Sequence, residues 1–185
     1  MNYIILSTPK HENIKDLINI LLDQINQGDY EVKENYYIIE YVSANISGLE
    51  LNDIIINYAN EQLVDISAFI SDAYAPLVSE VVSLLALTNH RDTVIYDRKT
   101  LFSDVLNVSN KPLIKRLVFK SYEKDFGMLN LLKVFIESDQ NISLTAKLTF
   151  YHRNTIMQKL DRFAEITGFN VRKFKDAYLI YNLLK

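Results

Sequence analysis

The sequence has neither cysteine nor tryptophan among its 185 residues, and only four glycines, three prolines and three histidines. Without cysteine there is no disulfide framework, no thiolate metal site and no cysteine nucleophile. His11, His90 and His152 are the only imidazoles available for base chemistry or metal binding, and no two of them stand at a metal-ligand spacing. Gly28, Gly48, Gly127 and Gly168 are scattered, so there is no glycine-rich phosphate loop and no Gly-x-Ser-x-Gly elbow. The longest apolar stretch, Leu77 to Leu87, is broken by Glu80 and falls far short of the ~20 residues of a membrane span. The N-terminus reaches Lys10 before any apolar run of useful length, which argues against a signal peptide. These absences lead us to expect a cytoplasmic protein with no membrane partner, no metal, no cofactor and no catalytic residues.

What is present is globular: 49% of residues are apolar and 23% charged, and a chain of this length buries roughly 70% of its extended surface on folding. Charge is distributed unevenly. From Asn141 to Lys185 eight Lys or Arg stand against three Asp or Glu, a net +5, whereas the rest holds twelve basic and twenty acidic residues, a net −8. An acidic body joined to a basic tail suits a nucleic-acid-binding appendage, although a merely solvated basic surface fits the charge equally well.

Hydrophobic periodicity predicts a strand at Tyr3 to Leu6, a helix from Ile14 to Ile25, and a turn at Gly28-Asp29. Strands follow at Tyr36 to Val42, Ile66 to Ile70 and Thr93 to Tyr96, with helices over Leu51 to Val64, from Pro76 to about Leu87, and at Leu101 to Leu106. Beyond Lys111 strand signals stop. Helices are predicted at Leu113 to Tyr122, Met128 to Glu137, Leu144 to Leu148, His152 to Thr167 and Arg172 to Leu184, with Gly168 as a left-handed stop and Asn170 as a cap for the last helix. The expected fold class is α+β: a small α/β sheet body over 1–110, for sensing or dimerisation, then an all-helical region over 111–185.

Within the tail, 143–168 has helix-turn-helix form, a short helix and a longer one joined by a tight connection. Ala146 is small where the helices approach, and Leu148, Ile156, Leu160 and Phe163 are spaced to bury one face of each. His152 is placed either to touch DNA or, the favoured reading, to cap and brace the second helix near its buried face. Arg153, Asn154 and Gln158 project from the early turns of that helix, where a recognition helix presents residues to base edges in the major groove. Lys147, Thr155 and Lys159 are placed to hold phosphates.

Thr145-Ala146, Leu148, His152-Arg153-Asn154-Thr155, Leu160 and Ile166-Thr167-Gly168 together resemble the C-terminal helix-turn-helix domain of the PucR/CdaR family of bacterial transcription regulators. The resemblance covers roughly Met128 to Lys185, and the same stretch is similar to the Fis-type helix-turn-helix. Family members place an aromatic and an arginine where this sequence has Gln158 and Lys159, and lysine does not reproduce the bidentate fork of arginine. In such regulators a degenerate GGDEF-like α/β domain often precedes, and the alternation from Ile66 to Leu106 resembles its end. No Gly-Gly-Asp-Glu-Phe signature is present, so cyclase activity is not expected. What the resemblance implies is a sequence-specific transcription regulator that binds double-stranded DNA; because one recognition helix reads only a few base pairs, a homodimer is expected, with a small-molecule effector of unknown kind as a further partner.

Two readings of the remaining residues stay bland. His90-Arg91-Asp92 has no paired nucleophile and reads as a surface loop, with His11 exposed. Tyr36, Tyr37 and Tyr41 are placed for an effector surface, but strand tyrosines more often serve packing. The alternative to a DNA-binding regulator is a non-enzymatic interaction or scaffold module that has kept the helical fold and lost DNA binding.

Overall fold

The first apolar run becomes the centre of a sheet, because Ile4, Ile5 and Leu6 are all fully buried and a strand covered on both faces must lie inside. The computed structural model describes residues 1–9, 12–88, 92–106 and 111–185. It divides into two units, Met1–Val105 and Leu106–Lys185.

In the first unit the order is β1 (Asn2–Ser7), α1 (Lys15–Asp23), β2 (Ile25–Asn26), β3 (Asp29–Lys33), β4 (Tyr36–Tyr41), β5 (Ser43–Ala44), α2 (Gly48–Gln62), β6 (Ser67–Ile70), α3 (Val78–Leu85), β7 (Val94–Tyr96) and α4 (Arg98–Val105). Five strands form one sheet in the order β3-β4-β1-β6-β7, while β2 and β5 pair as a separate short ribbon. All pairings in the large sheet are antiparallel except β6 with β7. β4 therefore lies between β1 and β3, the split βαβ arrangement, with β7 added beyond the βαββαβ set.

Strand alternation sorts the core. Ile4, Leu6, Ile39, Tyr41 and Ala68 cluster with Leu17 and Leu21 of α1 and Leu51 and Ile55 of α2. Tyr3 and Phe69 point the other way and stack at 5.8 Å, and the Tyr3 hydroxyl donates to the Pro76 carbonyl at 2.6 Å. Ser47 caps α2 in a reciprocal box with Glu50, whose carboxyl the Ser47 bonds hold below the usual range.

Several expectations are corrected here. Pro76 is not in the first turn of a helix: α3 starts at Val78 with Leu77 as its N-cap, whose amide donates to Glu80. The turn expected at Gly28-Asp29 is corrected: Asp29 opens β3, and β2 and β3 run in one direction and one register along β5 and β4 (Asn26 opposite Ser43, Asp29 opposite Glu40), with only a bend at Gln27-Gly28, where a Cβ on Gly28 would run into the Ile25 side chain. Of the three tyrosines, Tyr41 is buried in the core and Tyr37 is packed against it, while Tyr36 is half-buried. His11, His90 and Arg91 lie outside the described residues, and Asp92 is exposed.

The second unit is helical throughout its described residues: α5 (Lys111–Phe119), one 3-10 turn (Lys120–Tyr122), α6 (Phe126–Glu137), α7 (Ile142–Thr149), α8 (Arg153–Thr167) and α9 (Phe174–Leu184). The fold class is thus α+β. Phe163 of α8 is fully buried, with its ring 5.5 Å from Tyr122 and 6.3 Å from Phe119. Gly168 ends α8 at φ 74°, the left-handed conformation its lack of a Cβ favours, and its amide donates to the Ala164 carbonyl at 2.8 Å.

Asn170 does not cap the last helix. The N-cap of α9 is Lys173, without a side-chain bond, and Asn170 instead accepts from the Arg172 amide and donates its own amide to the buried Asp176 at 2.7 Å. The acid in the first turn of α9 reaches back to the loop, which leaves Asn170 to make a local turn. Among the described residues no helix is long and apolar enough to cross a membrane.

Candidate nucleic-acid interface

α7 begins with Asn141, whose side-chain oxygen accepts from the amides of Ser143 at 2.9 Å and Leu144 at 3.0 Å. Its only fully buried side chain is Thr145, which satisfies its hydroxyl by donating to the Asn141 carbonyl at 2.8 Å. Thr149 repeats the bond one turn on, donating to the Thr145 carbonyl at 2.8 Å. Hydroxyls thus close the inner face of this short helix, and Leu148 is turned out, 57% exposed. The expectation that Leu148 joins Ile156, Leu160 and Phe163 in the core is corrected, since Thr145 and Thr149 take the inward positions. Ala146 is half-buried.

The connection to α8 is tight: Phe150 ends α7 in the left-handed conformation at φ 58°, and His152 is already the N-cap of α8. His152 Nδ1 accepts from the Asn154 amide at 3.3 Å, so the capping role holds. Its ring, however, is exposed and not near the buried face, because an N-cap with extended backbone lies before the helix and off its wheel.

The inner face of α8 is Ile156, Leu160, Phe163 and Thr167, a helical stripe packed on α6 and α7. Opposite it, Asn154, Gln158 and Arg162 follow at successive i, i+4 positions, all exposed. Arg153 is exposed at the first helical position, and Thr155 and Lys159 are half-buried on the flank. Lys159 carries its ammonium 5.5 Å above the Tyr151 ring, back toward the turn. Lys147 is exposed on α7. The structure therefore brings Arg153, Asn154 and Gln158 onto the leading end and outer face of one helix, with Lys147 on the helix before it. Arg162 lies in the same ridge and was not singled out from the sequence; the i, i+4 spacing from Gln158 is the signal that finds it.

Electrostatically the motif is cationic at its leading end. From Asn141 to Leu160 there are three Lys or Arg and no acid. The first acid, Asp161, is paired with Arg172, whose guanidinium donates to it at 2.6 Å. The first-turn amides of α8, of which His152 caps that of Asn154, add partial positive charge there. Such an end attracts phosphate and can present base-reading side chains in a groove. Among the described residues no group of three or more acids and histidines could hold a metal ion.

Comparison with known proteins places a family match on the same segment. Over 85 residues the sequence is 32% identical to the Bacillus subtilis protein YxkF, covering 44% of this chain and 29% of that protein. Across 96% of its length it is 27% identical to the Bacillus subtilis DNA-binding transcriptional activator AdeR, of which it covers 40%. The chain thus spans well under half the length of these curated relatives. The crystal structure of a regulator of polyketide synthase expression from Bifidobacterium adolescentis superposes with a TM-score of 0.54 over 99% of this chain and 78% of that one, at 14% identity, a likeness of fold alone. Residues 128–185, which hold nearly all of α6 and the whole of α7, α8 and α9, match the family of the PucR C-terminal helix-turn-helix domain, and it is to that domain that the α7–α8 motif is similar.

Proposed function

We propose that the chain is a sequence-specific DNA-binding transcription regulator that lays α8 in the major groove. The observation that carries this reading is the α7–α8 pair: a buried inner stripe, an exposed ridge of Asn154 and Gln158 behind Arg153, and an acid-free leading end, in a segment matching a helix-turn-helix domain. Arg153, Asn154 and Gln158 read base edges, while Lys147, Thr155 and Lys159 position the domain on phosphates. The relative AdeR, described as a DNA-binding transcriptional activator, supports the same direction.

The sheet unit serves dimerisation or sensing. Its split βαβ order with an added strand supports kinship with a degenerate GGDEF-like body, and its open groove of about 690 Å³ between β4 and α3, flanked by Lys33, Glu40 and Val82, is the place for a small-molecule effector. One recognition helix reads only a few base pairs, at roughly 1–3 kcal/mol per good contact, which is too little against a genome of competing sites. Pairing two copies through the sheet unit doubles the contacts and sets half-sites about one helical turn apart or a multiple of it.

The test is duplex binding by the full chain at two salt concentrations, using fragments of its own upstream DNA. Neutralising about four phosphates gives a slope of log affinity against log salt of about −3 to −4. A flat response, or no binding at low salt, would shift the reading to an interaction module.

A further inference from the structure

Phe150 is placed where folding has little use for it. It ends α7 at φ 58° and is 93% exposed, so it carries the steric penalty of a left-handed backbone and buries almost nothing in return. Gly168 ends α8 in the same conformation with no such penalty. The chain does tolerate other residues there, and Leu63 at the end of α2 is equally left-handed and exposed. What separates the two is their surroundings. Leu63 stands between Glu61 and Asp65. Phe150 lies beside Leu148, also exposed, and Tyr151, whose ring carries the Lys159 ammonium, in a stretch whose charged residues are all cationic.

Exposed apolar residues with Lys147 and Arg153 beside them in the sequence and the Lys159 ammonium over the Tyr151 ring are complementary to a polyanion that also offers apolar groups. In duplex DNA the apolar group exposed in the major groove is the thymine C5-methyl. Phe150 is three residues from Arg153, which puts it within about 10 Å along the chain from the first side chain of the recognition helix. A helix that enters the groove by its N-terminus carries this turn to the groove's edge.

We propose that Phe150, backed by Leu148 and Tyr151, is a specificity-determining DNA contact that reads thymine methyl groups beside the bases read by α8. The inference rests on the major-groove reading above and adds to it an apolar element that hydrogen-bonding residues alone would not supply. Burying one methyl is worth about fourfold in affinity.

The experiment selects duplexes from a randomised pool with the full chain, then replaces the thymines of the selected duplex one at a time with deoxyuridine, which removes only the methyl. Binding is measured for the wild type and for Phe150→Gly, with thermal unfolding as a control. The wild type should lose about fourfold at one or more replaced positions, and Phe150→Gly should bind the thymine duplex correspondingly less well, be indifferent to the same replacement, and melt no lower than the wild type. If Phe150→Gly keeps the full dependence on the methyl, or if no replacement affects the wild type, the contact does not exist. A changed mass in light scattering with the methyl dependence intact would make the patch a protein interface and overturn the proposal equally. Failure to enrich any duplex would instead bring down the DNA-binding reading itself, and this inference with it.

Discussion

Arg172, from the loop before α9, holds Asp161 of α8: one guanidinium nitrogen donates to the carboxylate at 2.6 Å and the other reaches the Met157 carbonyl at 3.4 Å. Asp161 follows Gln158 and Arg162 precedes the next turn, so an unpaired carboxylate there would face the same phosphates that the neighbouring cations attract. The pair therefore matters more for the potential of the outer face than for folding, where an exposed ion pair contributes only about 0.2–1 kcal/mol. Arg172→Ala should weaken duplex binding by more than the loss of one charge, and Asp161→Asn in the same chain should recover most of the deficit. A double-mutant cycle on affinity, set beside one on thermal stability, checks this; equal coupling in both would make the pair purely structural.

Division of labour along α8 gives the next expectation. On a selected duplex Arg153→Ala or Asn154→Ala should cost roughly 1–3 kcal/mol, and far less on random DNA, whereas Lys159→Ala should weaken both alike. Competition titrations against both DNAs report it. Equal losses for Arg153 would reduce it to a phosphate contact.

The cap of α8 is measurable separately. His152→Ala removes the acceptor for the Asn154 amide, at the low end of the ~0.5–2 kcal/mol usual for a lost N-cap, because the bond is 3.3 Å long and exposed. His152→Asn should restore the stability, since asparagine is a good N-cap. Denaturant melts of the two variants decide it.

Gly168→Ala places a Cβ at φ 74°. The cost is about 1–2 kcal/mol, a fall in midpoint of about 4–8 °C per kcal/mol for a unit of this size, with the midpoint followed by circular dichroism. No change would mean that the end of α8 relaxes freely.

Alkaline pH should destabilise the sheet unit. Burial, helped by Asp72 and Glu80, raises the Tyr3 hydroxyl well above its ordinary pKa, and burial with the hydrogen bond to Asp104 does the same for Tyr96. A raised folded pKa means that the folded state holds the proton longer than the unfolded one. Stability is thus full below about pH 10 and falls above it by up to about 1.4 kcal/mol per pH unit for each group. In Tyr96→Phe the decline should be shallower. An unchanged slope in pH-dependent melts would show that the Tyr96 hydroxyl is not a cause.

The sequence made the elements with strong local signals legible, and missed those set by neighbours. β-branched and aromatic runs marked β1, β4, β6 and β7, and the helical stripe from Ile156 to Phe163 marked α8 with the outward Arg153, Asn154 and Gln158. β3 escaped because Asp29-Tyr30-Glu31-Val32-Lys33 is an edge strand with largely exposed, charged side chains, held by its pairing with β4 and not by its own hydrophobicity. Leu148 was misplaced because apolar spacing ignores that a threonine can bury itself by bonding its own helix, as Thr145 does. Asn170 was a good cap by type but stands four residues before α9 begins, where Asp176 claims its amide. Phe150 carried no signal, since exposure is invisible to periodicity.

Between α6 and α7 two consecutive residues, Asp139 at φ 52° and Gln140 at φ 59°, are left-handed without being glycine. Gln140 is anchored there, its amide donating to the Phe135 carbonyl at 2.9 Å and its side-chain amide to the Val171 carbonyl at 2.9 Å, while the amide of the exposed Asp139 donates to the Ile136 carbonyl at 3.1 Å. The corner that aims α7 is thus built from a residue that is fixed and one that is merely tolerated. A genetic screen for second-site suppressors of destabilised variants in this unit should return to position 139: Asp139→Gly releases the steric cost and leaves the Gln140 clasp intact, whereas changes at 140 forfeit it.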